Sequence, residues 1–373
     1  MFQPLSGIRI IDLTQVLAGP YATYQLALMG AEVLKIEQPD IGDWTRYGDA
    51  PEGLENQKMA TAFLTQNAGK KSITLDLKKA EDLSKLKGLI KTADVFVENF
   101  RPGTATKLGL SNEDIFEIKQ DIIYCSISAY GHDGPISSRP AYDHIVQGMC
   151  GIMKMTGTQE NEPNKVGAPY IDYATGMNAA LAIVSALHQL KRDQKGIVLD
   201  IAMLDTSLLL MASLMTNHLN TGWQPIASGN EAWSQSPSSG AFETEQGLLM
   251  VAANNERQYK DLCKALKLEY LLEDPRFSIL GNRKQNSKKL NEDLITTKEE
   301  LQSILYKIPN IPHNLVPKGN SEEDNVEILS DGYKPKLAEG SLPHWELAKK
   351  YDIIDFELGN KITGAGFPVY KGK

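Results

Sequence analysis

The first two hundred residues alternate between short β-like runs and helical segments, and this alternation constrains the fold more than any other feature. The β-like runs are IRIIDL, EVLKIE, SITLDL, DVFVEN, DIIYCSISAY and GIVLDIAM, and helical segments such as GPYATYQLALMG and AEDLSKLKGLIKT stand between them. A strand, a helix and a strand in this order make a right-handed parallel unit. The pattern therefore predicts an α/β fold with an open, mostly parallel, Rossmann-like sheet and helices on both faces.

The chain of 373 residues is longer than a single core usually grows, which is ~250–300 residues. The composition and periodicity of the chain change after residue 222. A polar, turn-rich stretch there leads to a predicted strand, GLLMVAA, and to charged amphipathic helices predicted over 255–310. We therefore predict a large domain over 1–222, to which 335–373 returns. A smaller α+β domain is predicted over 223–334.

Composition excludes several kinds of partner. A net charge of −8 does not suit nucleic acid, whose phosphates require a basic face. The amino terminus lacks the layout of a signal peptide, and the most apolar stretch, MLDTSLLLMASLM, falls short of the ~20 apolar residues that span a bilayer. Three widely spaced cysteines suit a reducing compartment. We expect a cytoplasmic protein without a membrane partner.

Familiar motifs for several chemistries are missing. The loop after the first strand, TQVLAGP, lacks the G-x-G-x-x-G of dinucleotide-binding folds, and there is no P-loop and no G-x-S-x-G elbow. The six histidines show no zinc-site spacing, so no metal site is expected. The LAGP segment fits a simple helix start, or a place where an anion approaches backbone N–H groups. Lysines 70, 71, 78 and 79 fit a solvated rim, or contacts to phosphates.

One carboxylate, Asp172, stands ahead of a long run of small and apolar residues in APYIDYATGMNAA. Asp is a preferred helix N-cap, which contributes ~1 kcal/mol. An Asp carboxylate can also act as a nucleophile that forms a covalent acyl intermediate. Composition does not choose between these two roles.

The chain resembles the class III coenzyme A transferases (CaiB/BaiF type), the family of formyl-CoA transferase and crotonobetainyl-CoA:carnitine CoA-transferase. The resemblance is carried by PLSGIRIIDLTQVLAGP, GAEVLKIEQPDIGDWTR, NAGKKSITLDLK, ADVFVENFRPG, SISAYGHDGP, YDHIVQGMCGIMKMTG, DYATGMNAALAIVSAL and DIAMLDTSL. It is continuous over about residues 4–210 and weaker through GAFETEQGLLMVAANNERQYKDLCKAL.

The family's nucleophile is the Asp of this D-Y-x-x-G segment, so the resemblance implies that Asp172 is catalytic. It implies a CoA transferase that moves CoA between an acyl-CoA and a free carboxylic acid through an aspartyl-CoA thioester. CoA is then a substrate, and no prosthetic group is expected. Oxyanions on this route would need preorganised donors, such as backbone N–H groups of nearby loops.

The resemblance also implies a CoA site, and its residues carry over position by position. Those expected to border the nucleotide, the pantetheine arm or the thioester are Val16, Leu17, Ala18, Gln38, Leu75, Asp76, Leu77, Lys78, Asn99, Phe100, Arg101, Lys107, Tyr142, Asp143 and Met203. Some relatives have Arg where this chain has Gln38, and Lys35 or Arg46 could supply the missing phosphate contact.

Several departures from the family pattern bear on the substrate and the reaction. Formyl-CoA transferases have Gln in place of Leu17 and a glycine-run loop in place of SQSPSSG, so oxalate or formate is not favoured. The overall sequence is most similar to the branch of the family that acts on dicarboxylates, and this similarity implies succinyl-CoA as a donor. The 2-methylacyl-CoA racemases carry a His where Tyr142 stands, and Tyr is a poor general base at neutral pH. A racemase, with His144 as a stand-in, and a CoA-binding homologue without catalysis remain alternatives.

The family also implies a quaternary structure. Its members form interlocked homodimers, which here would need residues 205–235 and the returning tail to wrap the partner. The chain ends in GFPVYKGK, where most relatives continue into a helix containing GxHT, and that segment is either dispensable or truncated.

Overall fold

The predicted strands form one six-stranded sheet in the computed structural model of the chain, and every neighbouring pair in it is parallel. The structure describes residues 2–232, 236–244 and 247–287, together with 290, 346, 354–355 and 369–370. The strands are β1 (Arg9–Asp12), β2 (Glu32–Glu37), β3 (Lys71–Thr74), β4 (Val95–Glu98), β5 (Ile123–Ser128) and β6 (Ile197–Ala202).

The strand order is β3-β2-β1-β4-β5-β6, which is the order of a doubly wound, Rossmann-like sheet. Ile10 of β1 pairs with Val33 of β2 on one side and with Val95 of β4 on the other. The order reverses at β1, so that the loops after β1 and β4 lie next to each other. The predicted α/β fold with a parallel sheet is confirmed.

Helices connect the strands and continue beyond them. They are α1 (Ala18–Leu28), α2 (Thr61–Asn67), α3 (Ala80–Ile90), α4 (Thr104–Lys107), α5 (Asn112–Ile118), α6 (Asp143–Cys150), α7 (Ile152–Met155), α8 (Tyr170–Asp193), α9 (Met203–Leu210), α10 (Ala212–Thr221), α11 (Glu256–Ala265), α12 (Tyr270–Glu273) and α13 (Leu280–Gln285). The helical stretch after β6 is divided at Met211, where the backbone breaks between α9 and α10.

Alternate residues of each strand face opposite sides of the sheet, and each side has its own core. On one side Ile10, Val95 and Ile123 pack with small and apolar residues of α1 and α8. On the other side Phe96 and Tyr124 pack with apolar residues of α3 and α5. The central strands β4 and β5 are buried on both faces, as expected for a covered parallel sheet.

A glycine sets the distance between α1 and α8. A Cβ on Gly176 would lie 2.6 Å from the carbonyl oxygen of Ala18 and 3.0 Å from Cδ1 of Tyr21. Only a residue without a side chain lets the two helices approach this closely. The close approach places the amino end of α8 beside the amino end of α1.

A separate apolar cluster lies further along the chain, around Tyr259, Cys263 and Phe277. It packs near the antiparallel hairpin of β7 (Ser239–Thr244) and β8 (Gly247–Ala252), through Phe242. The chain divides into two compact units, Met1–Gln302 and Ser303–Lys373. The second unit contains the antiparallel pair β9 (Ile354–Asp355) and β10 (Val369–Tyr370). The predicted boundaries at 222 and 334 stay predictions, and most of 291–373 lies outside the described residues.

Candidate functional site

The predicted CoA-binding residues lie at one edge of the sheet. Four adjacent strands end there, and each is followed within a few residues by a predicted segment: Val16 to Ala18 after β1, Gln38 after β2, Leu75 to Lys78 after β3, and Asn99 to Arg101 after β4. Ligands of open parallel sheets bind beyond the carboxyl ends of the strands. The fold therefore collects segments that are far apart in the sequence at the edge where a ligand is expected.

The helix that carries Asp172 begins at the same edge. Helix α8 leads directly into β6, so it runs antiparallel to the strands and its amino end lies at their carboxyl ends. Met203 follows β6 immediately and is buried, and it packs with Ile171 next to Asp172. The ring of Tyr173 meets that of Tyr21 edge to face, with centroids 4.8 Å apart. Asp172 is therefore next to the start of α1.

Asp143 caps the amino end of α8 from another helix. Its Oδ2 accepts hydrogen bonds from the backbone N–H groups of Ile171 at 2.8 Å and Asp172 at 3.1 Å. Its other oxygen accepts from Gln147 Nε2 at 2.5 Å. These bonds satisfy donors that a helix start leaves free. Asp172 itself is the third residue of the helix, and the N-cap is Pro169. The N-cap role considered for Asp172 is therefore wrong.

The Asp172 carboxylate is half-buried. Burial, together with the negative charge of Asp143, raises its pKa from 3.8 to about 7. No hydrogen bond to its carboxylate oxygens is found among the described residues. The result is a carboxylate with unusual basicity and free lone pairs at the ligand-binding edge, which is the arrangement required of a nucleophile or a general base.

The loop after β1 is held on both sides by side chains from other loops. Asn99 accepts a hydrogen bond from the Gln15 N–H at 2.9 Å and donates one to the Gln15 carbonyl at 2.8 Å. The N–H of Val16 donates to Asp43 Oδ1 at 3.3 Å, and Lys35 Nζ donates to the Thr14 carbonyl at 2.6 Å. Side chains from other loops therefore fix this loop, and α1 begins at its end, at Ala18, as the helix-start interpretation predicts.

Two residues suggested as phosphate contacts are occupied elsewhere. The side chain of Lys35 is 1% exposed, and its ammonium group forms an ion pair with Asp43 at 3.1 Å. Arg46 donates two hydrogen bonds to the Glu37 carboxylate, at 2.7 Å from Nε and 2.6 Å from Nη2. Both cations stabilise the buried ends of β1 and β2. Lys35 cannot reach a surface phosphate, so the suggestion that it replaces the Arg missing at position 38 is wrong. The same suggestion for Arg46 stays a prediction.

Lys70 also departs from its expected place on a solvated rim. Its side chain is 2% exposed and lies 3.0 Å from Asp12 Oδ2, with further bonds to Pro20, Thr23 and Asn67. Burial alone would raise the pKa of Asp12. The charges of Lys70 and Lys35 outweigh burial and lower that pKa to about 2. Lys71 and Lys79 are exposed, as expected.

Three residues of the predicted CoA site are exposed cations. Lys78, Arg101 and Lys107 lie on the surface after β3, after β4 and in α4. No ion pair joins any of them to another described residue. Gln38 is also exposed. Asp76 is half-buried, and its side chain accepts a hydrogen bond from the Lys78 N–H at 3.1 Å. Tyr142 is 61% exposed, beside the buried Asp143.

A cavity of about 290 Å³ opens among β4, β5 and β6, on the side of the sheet away from α1 and α8. Its lining includes two predicted residues, Phe100 and Arg101, and the buried carboxyl of Glu98, whose pKa burial raises. Asp172 does not line it. Thus the structure gathers the predicted residues along one edge, but this cavity and Asp172 are separate features.

Sequence reasoning missed Asp43 as a support of the loop after β1 and assigned Asp143 only a place near the thioester. A lone Asp after a strand gives no signal of its partner 27 residues away. Within the described part of the chain, no group of three His, Cys, Asp or Glu side chains is placed to hold a metal ion. None of the described helices is long and apolar enough to cross a membrane.

Comparison with known proteins decides the family. The profile described as CoA-transferase family III matches residues 5–304. The chain belongs to CoA-transferase family III. It is 39% identical over 334 residues to the succinyl-CoA:glutarate CoA-transferase of Mus musculus, covering 88% of this chain and 76% of the relative. It is 38% identical over 278 residues to the succinate–glutarate CoA-transferase of Agrobacterium fabrum, covering 74% of this chain and 69% of the relative.

Solved structures of the family agree with the fold. The crystal structure of a CaiB/BaiF family protein from Brucella suis superposes with a TM-score of 0.73 at 34% identity, over 83% of each chain. The predicted membership of the class III CoA transferases is confirmed, and the protein is a CoA-transferase that exchanges CoA between an acyl-CoA and a carboxylate. Between transferase and racemase, the named relatives favour the transferase.

Proposed function

We propose that this CoA-transferase uses Asp172 as its nucleophile and passes through an aspartyl-CoA thioester. The observation that carries the proposal is the raised pKa of a half-buried carboxylate, about 7, at the edge where the predicted CoA segments meet. A carboxylate of higher basicity is a stronger nucleophile, and at neutral pH a large fraction of it is still ionised. Asp143 supports this role because it both orders the start of α8 and opposes the Asp172 charge.

The reaction divides one exchange into four acyl transfers. An Asp172 oxygen attacks the donor thioester carbonyl, the C–S bond breaks, and a mixed anhydride and CoA thiolate form. The thiolate attacks the aspartyl carbonyl and releases the donor acid as its carboxylate. The acceptor carboxylate attacks the aspartyl thioester, which expels the thiolate and forms a second anhydride. The thiolate then attacks the acceptor acyl carbonyl, so that the new acyl-CoA leaves and the Asp172 carboxylate is restored.

CoA stays bound through these steps, so its nucleotide part can hold the thiolate in position. We infer that the CoA nucleotide and pantetheine arm lie along the loops after β3, β2, β1 and β4. The exposed cations Lys78, Arg101 and Lys107 support this placement, because each offers a charge to phosphate without another described partner. CoA is a substrate on this route, and the chemistry needs no prosthetic group.

We infer that the two acids are dicarboxylates, with succinyl-CoA as donor and a five-carbon dicarboxylate such as glutarate as acceptor. The names of the mouse and Agrobacterium relatives support this choice. The relatives also include an acetyl-CoA:oxalate CoA-transferase from Acetobacter aceti, 36% identical over 293 residues, so oxalate belongs in any acceptor panel.

The nucleophile is tested by trapping. The enzyme is mixed with succinyl-CoA and hydroxylamine, and peptides are analysed by mass spectrometry for an aspartyl hydroxamate. We expect the adduct at Asp172 and at no other carboxylate. An Asp172→Asn variant should give no adduct and no exchange of CoA into glutarate.

The control is Asp193→Asn at the other end of the same helix, where the carboxylate pairs with Arg192 on the surface. This variant should keep both the adduct and the exchange activity. Full activity of Asp172→Asn, or an adduct on another residue, would overturn the proposed nucleophile. Exchange with monocarboxylates alone would overturn the dicarboxylate assignment and leave the nucleophile untouched.

We also infer that the protein works as a homodimer. Several large apolar side chains on α8, α9 and α10 are exposed in the single chain, and exposed apolar surface on neighbouring helices can mark an interface. They are Met177, Leu181, Leu209, Leu210 and Leu219. Light scattering at micromolar concentration should give the mass of a dimer, and Leu181→Glu should weaken it. A stable, active monomer would refute the inference. Whether the chains interlock, and a cytoplasmic location, stay predictions.

A further inference from the structure

Val16 lies in an unfavourable backbone conformation. Its φ is +74°, in the left-handed region that β-branched residues rarely adopt. Residues in that region persist only where their surroundings impose the conformation, and they cluster at functional sites. Val16 belongs to the loop proposed to contact CoA, so the groups that impose this conformation are of functional interest.

A buried carboxylate accepts the backbone N–H of this residue. Asp43 has no exposed surface, and its Oδ1 accepts hydrogen bonds from the Val16 N–H at 3.3 Å and from Thr45, at 3.0 Å from N–H and 2.8 Å from the hydroxyl. Its Oδ2 lies 3.1 Å from the ammonium of Lys35, which also donates to the Thr14 carbonyl at 2.6 Å. One ion pair therefore holds the residues on both sides of Gln15.

The rest of the loop has little freedom to relax the strain elsewhere. Asn99 bonds both backbone groups of Gln15. The Leu17 carbonyl accepts the N–H of Tyr21 in the first turn of α1, and a Cβ on Gly19 would lie 2.4 Å from Thr14 Cβ. With its neighbours fixed, the conformation of Val16 decides how the loop enters α1, and α1 packs against the start of α8 near Asp172.

We propose that Asp43 is a positioning residue for CoA transfer: with Lys35 it holds Val16 in its left-handed conformation and so presets the β1–α1 loop to receive acyl-CoA. Asp43 does not touch the substrate in this role. Without this restraint the loop spends part of its time in other conformations. The apparent affinity for CoA then falls in proportion to the fraction of protein whose loop is in the conformation that binds CoA. The proposal rests on the proposed function in that CoA is taken as the ligand of this loop.

The test is a double-mutant cycle on CoA affinity, measured by titration calorimetry with CoA and as KM for succinyl-CoA. We expect Asp43→Asn to raise both values about tenfold, with kcat changed much less. Glycine adopts a positive φ without strain, so the loop of Val16→Gly no longer needs Asp43 to hold it there. The effect of Asp43→Asn should therefore shrink at least threefold in the Val16→Gly background. Equal effects of Asp43→Asn in both backgrounds would overturn the proposal.

The matched control is Asp94→Asn. Asp94 also accepts a backbone N–H, from Arg9 at 2.8 Å, but it lies at the amino ends of the strands, away from the loop. This variant should lower the thermal midpoint without changing the Kd for CoA. If Asp94→Asn raises the Kd as much as Asp43→Asn, general loosening explains the effect and the proposal fails.

If Asp43→Asn does not fold, the cycle is run with Asn99→Ala, which releases the same loop at Gln15, and the same coupling to Val16→Gly is expected. Calorimetry with CoA alone separates this proposal from the nucleophile. Asp172→Asn should still bind CoA. Wild-type protein that binds no CoA would contradict the proposed function itself, whereas tight CoA binding without coupling contradicts only the role of Asp43.

Discussion

Replacing the proposed nucleophile should stabilise the folded protein. In Asp172→Asn the side chain keeps its size but loses its charge. The native pKa of Asp172 is about 7, against 3.8 for an unperturbed carboxyl, because burial and Asp143 oppose ionisation. The folded protein therefore holds a proton that the unfolded chain has lost, and ionisation of Asp172 costs stability as the pH rises from about 4 to about 7.

The size of the effect follows from the pKa difference. A difference of about three units corresponds to about 4 kcal/mol once the group is fully ionised. The start of α8 favours a negative charge by up to about 1 kcal/mol, which offsets part of this cost. We therefore expect Asp172→Asn to raise the free energy of unfolding by about 3–4 kcal/mol at pH 8. The gain should fall steadily as the pH is lowered and nearly vanish at pH 4.

Urea unfolding of wild type and variant at pH 8, 6 and 4.5 measures the effect, with CoA exchange followed on the same samples. Asp193→Asn, at the exposed end of the same helix, should change stability by less than about 0.5 kcal/mol at every pH. An Asp172→Asn protein that is no more stable than wild type at pH 8 would refute the assigned cause. A gain that does not depend on pH would refute it equally.

Three further predictions concern the surroundings of the site. Asp143→Asn should move the acidic limb of the pH profile of kcat/KM to lower pH, because the charge that raises the Asp172 pKa is gone; an unmoved limb would contradict this. Gly176→Ala should cost about 1–3 kcal/mol in urea unfolding, since its Cβ would meet a carbonyl of α1 at 2.6 Å, and an unchanged midpoint would show that the helices can separate freely. Lys70→Met should cost about 3–5 kcal/mol at neutral pH by leaving Asp12 buried without its cation, and recovery of part of that loss near pH 3 would identify the carboxylate as the cause.

Much of the site could be predicted from the sequence because its parts follow strands. The segments after β1, β2, β3 and β4 were assigned to CoA from the family resemblance, and the parallel sheet brings their starts to one edge. Asp172 could be singled out in the same way, although its role at the residue level stays a prediction. Local pattern alone favoured Asp172 as a helix N-cap, and that placement is wrong because the helix begins at Tyr170.

The residues that sequence reasoning misplaced are the buried charges. Lys70 was predicted on a solvated rim and Lys35 was suggested as a phosphate contact, yet both are almost fully buried against carboxylates. Nothing in the local pattern indicates this, because a lysine is buried only when a distant partner offsets its desolvation. Lys70 and Asp12 are 58 residues apart, and Val16 and Asp43 are 27 residues apart.

The sequence by itself determined the strands, the helices between them, the family, and the positions after the strands of the segments predicted to contact CoA. These depend on hydrophobic period and on motifs, which are local properties of the chain. Only the tertiary structure decided which charges pair in the core. It also decided that Asp143 rather than Asp172 caps α8, and that the pKa of Asp172 is raised. Those properties depend on distance and burial, which exist only after the sheet has brought separate loops together.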